Sequence, residues 1–576
     1  MRTRLGAGLV IAVSTVALAG APAPPPSAPF GEARTARSRL GAVASATPEA
    51  TSTGAAVLAA GGNAVDAAVA TALALAVTYP PAGNVAGGGF AVGRTPGGEL
   101  WALDFRETAP AGTWRDSYLG PDGKARRGAS TRGGLSVGTP GTVRGLEALH
   151  RRYGRLSWAR LVAPAVRLAR DGFRVPPGLA KIFSAYAEAL ALDPAASALF
   201  APGGIPLPAG ALLVQEDLAK TLETIAAKGA DGFHRGAIAR RIAAFIQATG
   251  GVLTEEDLAG YRPEWRPPFV FDDGRFRLVT LPLPSSGGFL LASILGQLRF
   301  VRGPIDDRDA PETLHLVAEA ERRAYADRNR FLGDPSCVDV PLAALLAPAR
   351  LAALGFSIDP ARATASSSLE GGAWPRDPDQ TTHLSTATAD GGAVALTYTL
   401  NDTLGNRAVV PGVGVLLNNE MDDFAVQPGA ANAYGLVQGE SNAVRAGARP
   451  LSSMTPTIVL ENGRPRLVLG SPGGGVIPTT VLQVYLNATR RGEPLGEAVA
   501  ARRFHHQHLP DRIELERDAF PEDVKAALRA KGHALDDRGT LYTGGMLGRV
   551  HAIAFEKDGT LTGVADPRGY GAAAGP

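Results

Sequence analysis

The residues whose types and spacing could do chemistry are concentrated in positions 380 to 401, which read QTTHLSTATADGGAVALTYTLN. Two runs rich in Thr, Val and Leu flank the turn-forming residues 389–391, Ala-Asp-Gly, and this pattern predicts a β-hairpin. If the loop has three residues, Thr381 falls opposite Thr399 on one face of the hairpin; a loop of two residues shifts the pairing and separates them. The first register would place two hydroxyl groups side by side.

A threonine beside a second hydroxyl is a candidate nucleophile. A neutral hydroxyl at neutral pH needs an adjacent base and a hydrogen-bond partner that aims its lone pair. The base could be the residue's own α-amino group, whose pKa near ~8 lets it take up a proton, but only if Thr381 becomes an N-terminus. Cleavage between Gln380 and Thr381 would create that N-terminus. Thr-rich strands are common, so the hairpin alone leaves a purely structural interpretation open.

Two helices are predicted ahead of the hairpin. The first is Ala-rich and runs from about Pro48 to a stop at residues 61–62, Gly-Gly. Asn63, with Asp66 three residues further on, caps a second helix that continues to about Val77. The nearly continuous apolar surface of this second helix predicts that it is buried between layers.

A Gly-rich segment and an arginine follow these helices. The segment VAGGGF at 85–90 lacks the Lys and Ser/Thr of a nucleotide-binding loop, so we interpret it as backbone that packs closely under the site. The runs FAVG and ELWALDF flank a PGG turn and predict a hairpin whose second strand ends near Arg106. An arginine suits a small carboxylate because its planar fork donates two parallel charge-assisted hydrogen bonds. Residues 130–270 have mostly helical patterns and are interpreted as scaffold.

Further motifs accompany TTH at 381–383 in a fixed order over nearly the whole chain. They are AGGNAVDAAVA at 60–70, YPPAGNVAGGGF at 79–90, LDFRETAP at 103–110, PSSGG at 284–288, AEAERRAYADRNRFLGDP at 318–335, TYTLND at 397–402, LLNNEMDDF at 416–424, RPLSSMTP at 449–456 and GSPGGG at 470–475. Several long motifs in order are far more specific than one short pattern. Together they resemble the γ-glutamyltranspeptidase (glutathione hydrolase) family of N-terminal-nucleophile hydrolases.

This resemblance implies a role for each candidate site residue. An amino acid head group carries both charges, so its pocket needs an anionic side and a cationic side. Backbone without side chains can aim N–H groups at an oxygen that becomes negative. The implied assignments are Thr381 as nucleophile, Thr399 as the residue that orients it, Gly473 and Gly474 as the oxyanion hole, Arg106, Ser452 and Ser453 at the substrate's α-carboxylate, Asn401, Glu420 and Asp423 at its α-amino group, and Tyr434 as a lid.

The resemblance also implies fold and activity. The expected fold is α+β, a four-layer αββα sandwich formed jointly by a large subunit, residues 41–380, and a small catalytic subunit, residues 381–576. A loop at 356–380, rich in Ser, Pro and Gly, is expected to be flexible enough for autocleavage. The expected activity is transfer of a γ-glutamyl group from glutathione or a related compound to water, an amino acid or a dipeptide. The two subunits are expected to stay associated.

The sequence leaves two other functions open. The first is an acylase of the same fold that acts on β-lactam side chains or poly-γ-glutamate, which predicts that Arg106 or the serine pair is lost or repurposed. The second is a non-catalytic periplasmic binding protein that keeps the amino acid pocket, which predicts an uncleaved chain. Both serines, Ser452 and Ser453, and Arg106 are present. The γ-glutamyl interpretation is therefore favoured.

Composition and the N-terminus indicate the compartment. The formal charge of +3 over 576 residues and the lack of any block of Lys or Arg argue against nucleic acid as a partner. Residues 1–19 combine two arginines, an apolar run and small residues, as in a bacterial secretory signal peptide. The run is shorter than the ~20 residues of a membrane span. A periplasmic or secreted protein is expected, with residues 20–40 as a Pro-rich tether.

Neither a cofactor nor a metal ion is expected. The segment at 504–508, FHHQH, holds three of the nine histidines and suggests zinc, but metal ligands must converge in space and this stretch resembles a structural part of the family. His383 is interpreted as a supporting hydrogen-bond partner and not as the base. The helix around 315–328 mixes charged with apolar residues and is interpreted as salt-linked packing. Cys337 lies away from the motifs and is interpreted as a bystander.

The chain departs from the family pattern just after the hairpin. Leu404 replaces the usual Phe, and Asn406-Arg407 replaces a pair of a small Ser/Thr and Gly. Thr388 stands where an acidic residue is usual. Since the γ-glutamyl-binding positions are all present, these changes are expected to affect acceptor choice and rate more than the reaction itself.

Overall fold

The computed structural model describes residues 29–369, 381–427, 439–537 and 545–576. The predicted signal peptide, the first part of the tether, Gln380 and Tyr434 lie outside the described residues. No helix within these ranges is long and apolar enough to cross a membrane.

Strands from both halves of the chain form four sheets in the described ranges. They are β1 Arg34–Ser38, β2 Gly41–Ser45, β3 Gly88–Arg94, β4 Leu100–Asp104, β5 Phe173–Arg174, β6 Leu212–Leu213, β7 Glu264–Arg266, β8 Phe269–Asp273, β9 Phe276–Thr280, β10 Thr382–Thr388, β11 Ala393–Thr399, β12 Thr457–Glu461, β13 Arg464–Gly470, β14 Phe504–His505, β15 Ile513–Leu515, β16 Leu535–Asp536, β17 His551–Phe555, β18 Leu561–Ala565 and β19 Ala572–Ala574.

Two antiparallel sheets, each with seven strands in the described ranges, dominate this set. The hairpin sheet has the order β19-β2-β10-β11-β3-β4-β7, and the facing sheet has the order β1-β18-β17-β13-β12-β9-β8. Each sheet takes strands from before residue 370 and from after residue 380. Cleavage of the chain between these parts would therefore leave two polypeptides that share both sheets.

The helices lie outside the two sheets, some against a sheet and others against neighbouring helices. They are α1 Pro48–Ala59, α2 Ala64–Thr78, α3 Thr142–Tyr153, α4 Trp158–Asp171, α5 Pro177–Ala185, α6 Ala187–Leu190, α7 Pro194–Phe200, α8 Glu216–Lys228, α9 Asp231–His234, α10 Gly236–Ala248, α11 Glu255–Gly260, α12 Gly287–Leu298, α13 Pro311–Phe331, α14 Leu342–Leu345, α15 Pro348–Phe356, α16 Ile477–Thr489, α17 Leu495–Ala500 and α18 Glu522–Ala530.

These elements stack in four layers, αββα. Helices α1 and α2 pack on the hairpin sheet, and α12 and α16 pack on the facing sheet. One apolar core joins α2 to β10 and β11, and a second fills the space between the sheets and under α12 and α16. The predicted fold class is confirmed.

Local chemistry explains the two early helices. Thr47 caps α1, whose first residue is Pro48. Asn63 and Asp66 form a capping box at the start of α2: the Asn63 side chain accepts from the Asp66 N–H at 2.9 Å, and the Asp66 carboxylate accepts from the Asn63 N–H at 3.0 Å. Every residue of α2 is buried, as its apolar surface predicts.

Two predicted boundaries are wrong. Strand β1 lies within residues 20–40, which were predicted to be a tether; Arg34 donates to the carbonyl of Gly571 at 2.7 Å, and β1 pairs with β18 throughout. Residues 356–369 were predicted to belong to a flexible loop. Ser366 in this stretch is buried, and its N–H donates to Asp511 Oδ2 at 2.7 Å, so the upstream part of that loop is fixed.

Candidate active site

The predicted hairpin is formed by β10 and β11 in the three-residue register. Ala387 pairs with Ala393 and Thr382 with Tyr398, and Gly391 has φ of +88°, which an L side chain rarely adopts. One further step along this register places Thr381 opposite Thr399. Strand β10 lies in the middle of the hairpin sheet, so the nucleophile candidate stands at the end of a central, rigid strand.

The Gly-rich segment lies directly against this strand pair. A Cβ at Gly87 would come within 2.0 Å of the Thr399 carbonyl oxygen, and one at Gly89 within 2.3 Å of the Thr397 carbonyl oxygen. Only residues without a side chain allow this approach. The interpretation of 85–90 as closely packed backbone is confirmed.

A small cavity of about 20 Å³ collects the candidate residues. That volume holds about one water molecule, so an amino acid could enter only if side chains move. Gly473 is adjacent to the lining and not part of it. The lining residues are Arg106, Thr381, Thr399, Asn401, Glu420, Asp423, Ser452, Ser453, Met454, Gly474 and Ile477.

Arg106 fills the centre of this site. It follows β4 by two residues, as predicted, and its side chain is 1% exposed. The guanidinium forms ion pairs with Glu420 and Asp423 and lies 4.0 Å from Glu107 Oε2. The predicted cationic and anionic sides of the pocket are thus paired with each other, and a zwitterionic ligand could enter by exchanging these partners.

Three carboxylates surround one guanidinium, and their mutual repulsion adds to the effect of burial. Burial alone would lower the pKa of Arg106, but Glu420, Asp423 and Glu107 outweigh it and raise that pKa above its ordinary value. Burial raises the pKa of Glu107 to about 7 and that of Glu420 well above its usual range. Neither oxygen of Glu107 accepts a hydrogen bond from a described residue. The site would gain from an additional positive charge, such as an α-ammonium group.

Asn401 and Thr399 are joined at the end of the hairpin. The Asn401 N–H donates to Thr399 Oγ1 at 2.9 Å, and the Asn401 side chain donates to the carbonyl of Asn419 at 2.9 Å. Asn401 has φ of +76°, a conformation that Asn tolerates better than most residues. Asn419 precedes the 3₁₀ turn Glu420–Asp423, so this contact ties the hairpin to the acidic turn.

Gly473 and Gly474 lie where a helix begins. Both have positive φ, +135° and +54°, and Gly474 opens a 3₁₀ turn that leads into α16. Backbone N–H groups at a helix N-terminus are unpaired within the helix and carry the positive end of its dipole. The Tyr325 hydroxyl of α13 donates to the carbonyl of Gly475 at 2.5 Å and anchors this turn. The turn is therefore suited to an oxyanion.

Ser452 and Ser453 are held by a short parallel bridge to residues 284–286. The Ser452 N–H donates to the Pro284 carbonyl at 2.8 Å, and the Ser286 N–H donates to the Ser452 carbonyl at 2.7 Å. This explains the PSSGG motif: it fixes the backbone that presents both hydroxyls to the cavity.

Sequence reasoning missed two residues of this region. Glu107 follows Arg106 directly but no pattern marks it, and the pattern of the helix at 315–328 predicts packing for Arg328. Arg328 donates to Ser453 Oγ at 3.1 Å. The available signal is the long motif at 318–335, which contains Arg328.

The histidines make separate contacts. His505 Nδ1 lies 2.9 Å from Thr479 Oγ1, and the His506 imidazole lies 3.6 Å from Asp511. His383 lies 2.8 Å from Thr397 Oγ1, which bears out a supporting role, and burial lowers its pKa well below the usual value. It is therefore neutral at neutral pH.

One group in the described ranges could in principle bind a metal ion, His315, Glu319 and His533. Its ligand atoms are already engaged: His315 Nδ1 lies 2.7 Å from His533 Nε2, and Glu319 forms ion pairs with two arginines. Those arginines agree with the prediction that the helix at 315–328 is salt-linked packing.

The unusual residues after the hairpin have strained backbones. Leu404 and Arg407 have φ of +64° and +67°. The family's usual Gly at 407 would adopt this conformation freely, whereas a non-Gly residue there costs about 1 kcal/mol or more. The Arg407 guanidinium pairs with Asp402 and lies 4.9 Å above the Tyr186 ring, and these contacts offset the strain.

A larger cavity of about 770 Å³ lies next to the nucleophile's strand. Thr382, Pro472 and Thr403 line it, so it adjoins both the hairpin and the oxyanion turn. Lys181 and Arg549 also line it, and neither side chain has a hydrogen bond or ion pair to a described residue. The positive charge of these two side chains makes the cavity suited to an anionic ligand.

Comparisons with known proteins agree with this geometry. The family model for gamma-glutamyltranspeptidase matches residues 50–576. The "Glutathione hydrolase proenzyme" of Escherichia coli (strain K12) is 44% identical over 556 residues, which cover 96% of this chain and 95% of that protein.

Solved structures share the fold. A cephalosporin acylase from Bacillus halodurans superposes with a TM-score of 0.81 at 27% identity and covers 98% of this chain and 99% of its own. Gamma-glutamyltranspeptidase from Helicobacter pylori superposes with a TM-score of 0.55 at 38% identity and covers 56% of this chain and 93% of its own. The order of the motifs, the αββα layers and the full-length match give one conclusion: this chain belongs to the gamma-glutamyltranspeptidase family.

Proposed function

We propose that this protein is a γ-glutamyltransferase and glutathione hydrolase that matures by cleaving its own chain between Gln380 and Thr381. The observation that carries the proposal is the convergence of Thr381, Thr399, Arg106, Glu420, Asp423, Ser452 and Ser453 on one cavity.

Maturation starts from the intact chain. The Thr381 hydroxyl attacks the carbonyl carbon of Gln380, the peptide nitrogen leaves as the α-amine of Thr381, and water hydrolyses the resulting ester. The products are a large subunit that ends at Gln380 and a small subunit, residues 381–576. They remain one heterodimer because both contribute strands to both sheets.

Turnover uses the same hydroxyl on a γ-glutamyl amide. The free amine of Thr381 takes the hydroxyl proton as it attacks the γ-carbonyl and delivers a proton to the leaving amine. The N–H groups of Gly473 and Gly474 stabilise the oxyanion, where one donor contributes about 3 kcal/mol. Thr399 orients the nucleophile. Water or an amine then releases the γ-glutamyl group from its ester with Thr381.

The donor's head group is held by partner exchange. Its α-carboxylate takes the place of Glu420 and Asp423 beside Arg106 and accepts from Ser452 and Ser453. Its α-ammonium group binds Glu420 and Asp423, together with Asn401. The term "donor pocket" below means these residues with Glu107 and Thr381.

The leaving group and the acceptor occupy the larger cavity. It is lined by Thr382 and Pro472, the sequence neighbours of the nucleophile and of the oxyanion turn, and has about the volume of a small-peptide site. Lys181 and Arg549 supply positive charge for the carboxylate of a peptide or amino acid. Tyr434 is proposed as a lid that limits access of water.

The location is proposed to be periplasmic or secreted, with removal of residues 1–19. This rests on the sequence of the N-terminus.

The test compares three chromogenic anilides on the mature protein: γ-glutamyl, glutaryl and phenylacetyl. Glutaryl keeps the carboxylate and lacks the amine, and phenylacetyl lacks both. We expect γ-glutamyl to have the highest kcat/KM by at least ~10²-fold, because each lost charge leaves buried partners unpaired. Preference for glutaryl or phenylacetyl would instead identify an acylase, and an uncleaved, inactive chain would identify a binding protein.

A further inference from the structure

Arg328 is a buried arginine of helix α13 that contacts the wall of the donor pocket. Its side chain is 0% exposed. Nε donates to Ser286 Oγ at 3.0 Å, and a terminal nitrogen donates to Ser453 Oγ at 3.1 Å. A single guanidinium therefore donates hydrogen bonds to both segments that form the parallel bridge beside the donor pocket, 284–286 and 452–454.

These contacts determine the direction of two hydroxyl protons. A serine hydroxyl has one proton to donate and two lone pairs. Ser286 Oγ accepts from Arg328 and donates to the Ser452 carbonyl at 2.8 Å, so its proton is already engaged in a hydrogen bond. Ser453 Oγ also accepts from Arg328, lines the cavity and, in the described part of the chain, donates no hydrogen bond. Its proton is available to an acceptor inside the cavity.

The charge of Arg328 favours the same acceptor. Guanidinium groups stay protonated in proteins, so Arg328 cannot accept the proton of Ser453 in return. It also adds a positive charge beside Ser453, in addition to that of Arg106 in the cavity lining. A hydroxyl fixed as donor with a cation behind it stabilises an anion more than a neutral group.

We propose that Arg328 is a positioning residue for the donor's α-carboxylate: it holds Ser453 as an obligate hydrogen-bond donor and so contributes to selection of donors that carry this group. This inference rests on the proposed function. It differs from a structural role, in which Arg328 would only join α13 to the two segments and would affect every donor alike.

The experiment measures kcat and KM of the mature protein and of Arg328→Gln with two donors. One is γ-glutamyl p-nitroanilide; the other is its 4-aminobutanoyl analogue, which lacks the α-carboxylate and keeps the amine. We expect Arg328→Gln to lower kcat/KM for the first donor about 10- to 100-fold, mainly through KM, since hydrogen bonds to charged groups have this range. The loss with the second donor should stay below about 3-fold.

Ser453→Ala, alone and combined with Arg328→Gln, gives a double-mutant cycle that is measured with the same donors. If Arg328 acts through Ser453, Arg328→Gln should cost less than about 3-fold in kcat/KM once the hydroxyl is gone. Arg328→Lys keeps the positive charge but donates from one nitrogen in place of the two that contact Ser286 and Ser453, so it should recover part of the loss. It carries the test if Arg328→Gln yields no cleaved, soluble protein.

Arg323→Gln is the matched control. It removes a buried guanidinium of the same helix that donates to Glu319, Ser357 and Thr364, away from the donor pocket. We expect any loss there to be equal for both donors. Equal losses for both donors with Arg328→Gln or Arg328→Lys, or full additivity with Ser453→Ala, would overturn the inference. A wild-type protein without γ-glutamyl turnover would instead overturn the proposed function.

Discussion

Two buried ionic networks of this protein both consist of arginine and carboxylate side chains. They differ in the ratio of positive to negative groups. In the donor pocket, Arg106 faces three carboxylates, and both oxygens of Glu107 lack a hydrogen bond from a described residue. In the second network, the α13 network of Glu319, Arg322, Arg323 and Asp511, Glu319 accepts from both arginines at 3.0 and 2.7 Å.

The difference separates a binding site from a structural network. The α13 network pairs two guanidinium groups with two carboxylates and needs nothing more. In the donor pocket three carboxyl groups share one guanidinium beside a cavity, and the raised pKa values of Glu107 and Glu420 reflect this; the α-ammonium group of a ligand would stabilise their ionised forms. Burial of charge by itself therefore does not indicate function; imbalance next to a cavity does.

The largest effect is expected from the nucleophile of the donor pocket. Thr381→Ala removes the hydroxyl that both maturation and turnover require. Denaturing electrophoresis should show one band instead of two, and γ-glutamyl hydrolysis should fall at least ~10⁴-fold. Thr381→Ser, which keeps a hydroxyl, is the control and should still be cleaved. Two bands from Thr381→Ala would show that another group cuts the chain.

The α13 network should respond in stability and not in specificity. Glu319→Gln leaves two buried guanidinium groups without their shared carboxylate, which costs about 3–5 kcal/mol of unfolding free energy. Denaturant titration in the Thr381→Ala background, where the protein is expected to be one chain, measures this loss. KM of the cleaved Glu319→Gln protein should change less than about 2-fold. A large rise in KM with intact stability would remove the distinction between the networks.

The donor pocket should show the opposite response. Arg106→Lys keeps the positive charge among the carboxylates but loses the planar fork that binds a carboxylate at two points. We expect kcat/KM for the γ-glutamyl donor to fall about 30- to 200-fold, equivalent to about 2–3 kcal/mol, with KM rising most. Unfolding free energy should change by less than about 1 kcal/mol. Loss of stability without loss of affinity would mean that Arg106 belongs to a structural network and not to a binding site.

A carboxyl beside the donor pocket predicts a pH dependence. Burial raises the pKa of Asp422 to about 8 in the folded protein, whereas the unfolded chain has an ordinary value near 4. The folded state thus binds this proton more tightly, so the contribution of Asp422 to stability is full below about pH 4 and is lost as pH rises through about 8. Asp422→Asn mimics the protonated form.

The increase in unfolding free energy caused by Asp422→Asn should therefore be larger at pH 8 than at pH 5, by about 1–3 kcal/mol. Denaturant titrations of Thr381→Ala with and without Asp422→Asn, at both pH values, provide the measurement. A benefit that is equal at both pH values would mean that Asp422 is ionised in the fold.

The sequence predicted what depends on neighbouring residues. The hairpin and its two possible registers follow from Gly391 and the alternation around it, and the start of α2 follows from Asn63 and Asp66. The family resemblance supplied the set of pocket residues, including Arg106, which lies over 300 residues from its partner Glu420. No local pattern could have joined those two.

What it missed depends on distant contacts. Strand β1 is short and charged, and it is stabilised by pairing with β18, more than 500 residues later. Arg328 looks like one more charge on a mixed helix until the fold places it 3.1 Å from Ser453 Oγ. Glu107 has no pattern of its own, and its significance comes from burial among charges that meet only in the folded chain.

The most direct test of the account is the mass of the smaller polypeptide of purified wild-type protein. If Thr381 is both the residue that cleaves the chain and the nucleophile of turnover, this polypeptide begins at Thr381, and its mass equals that of residues 381–576. A chain that stays intact while it hydrolyses γ-glutamyl donors, or a fragment that begins at any other residue, would contradict the account.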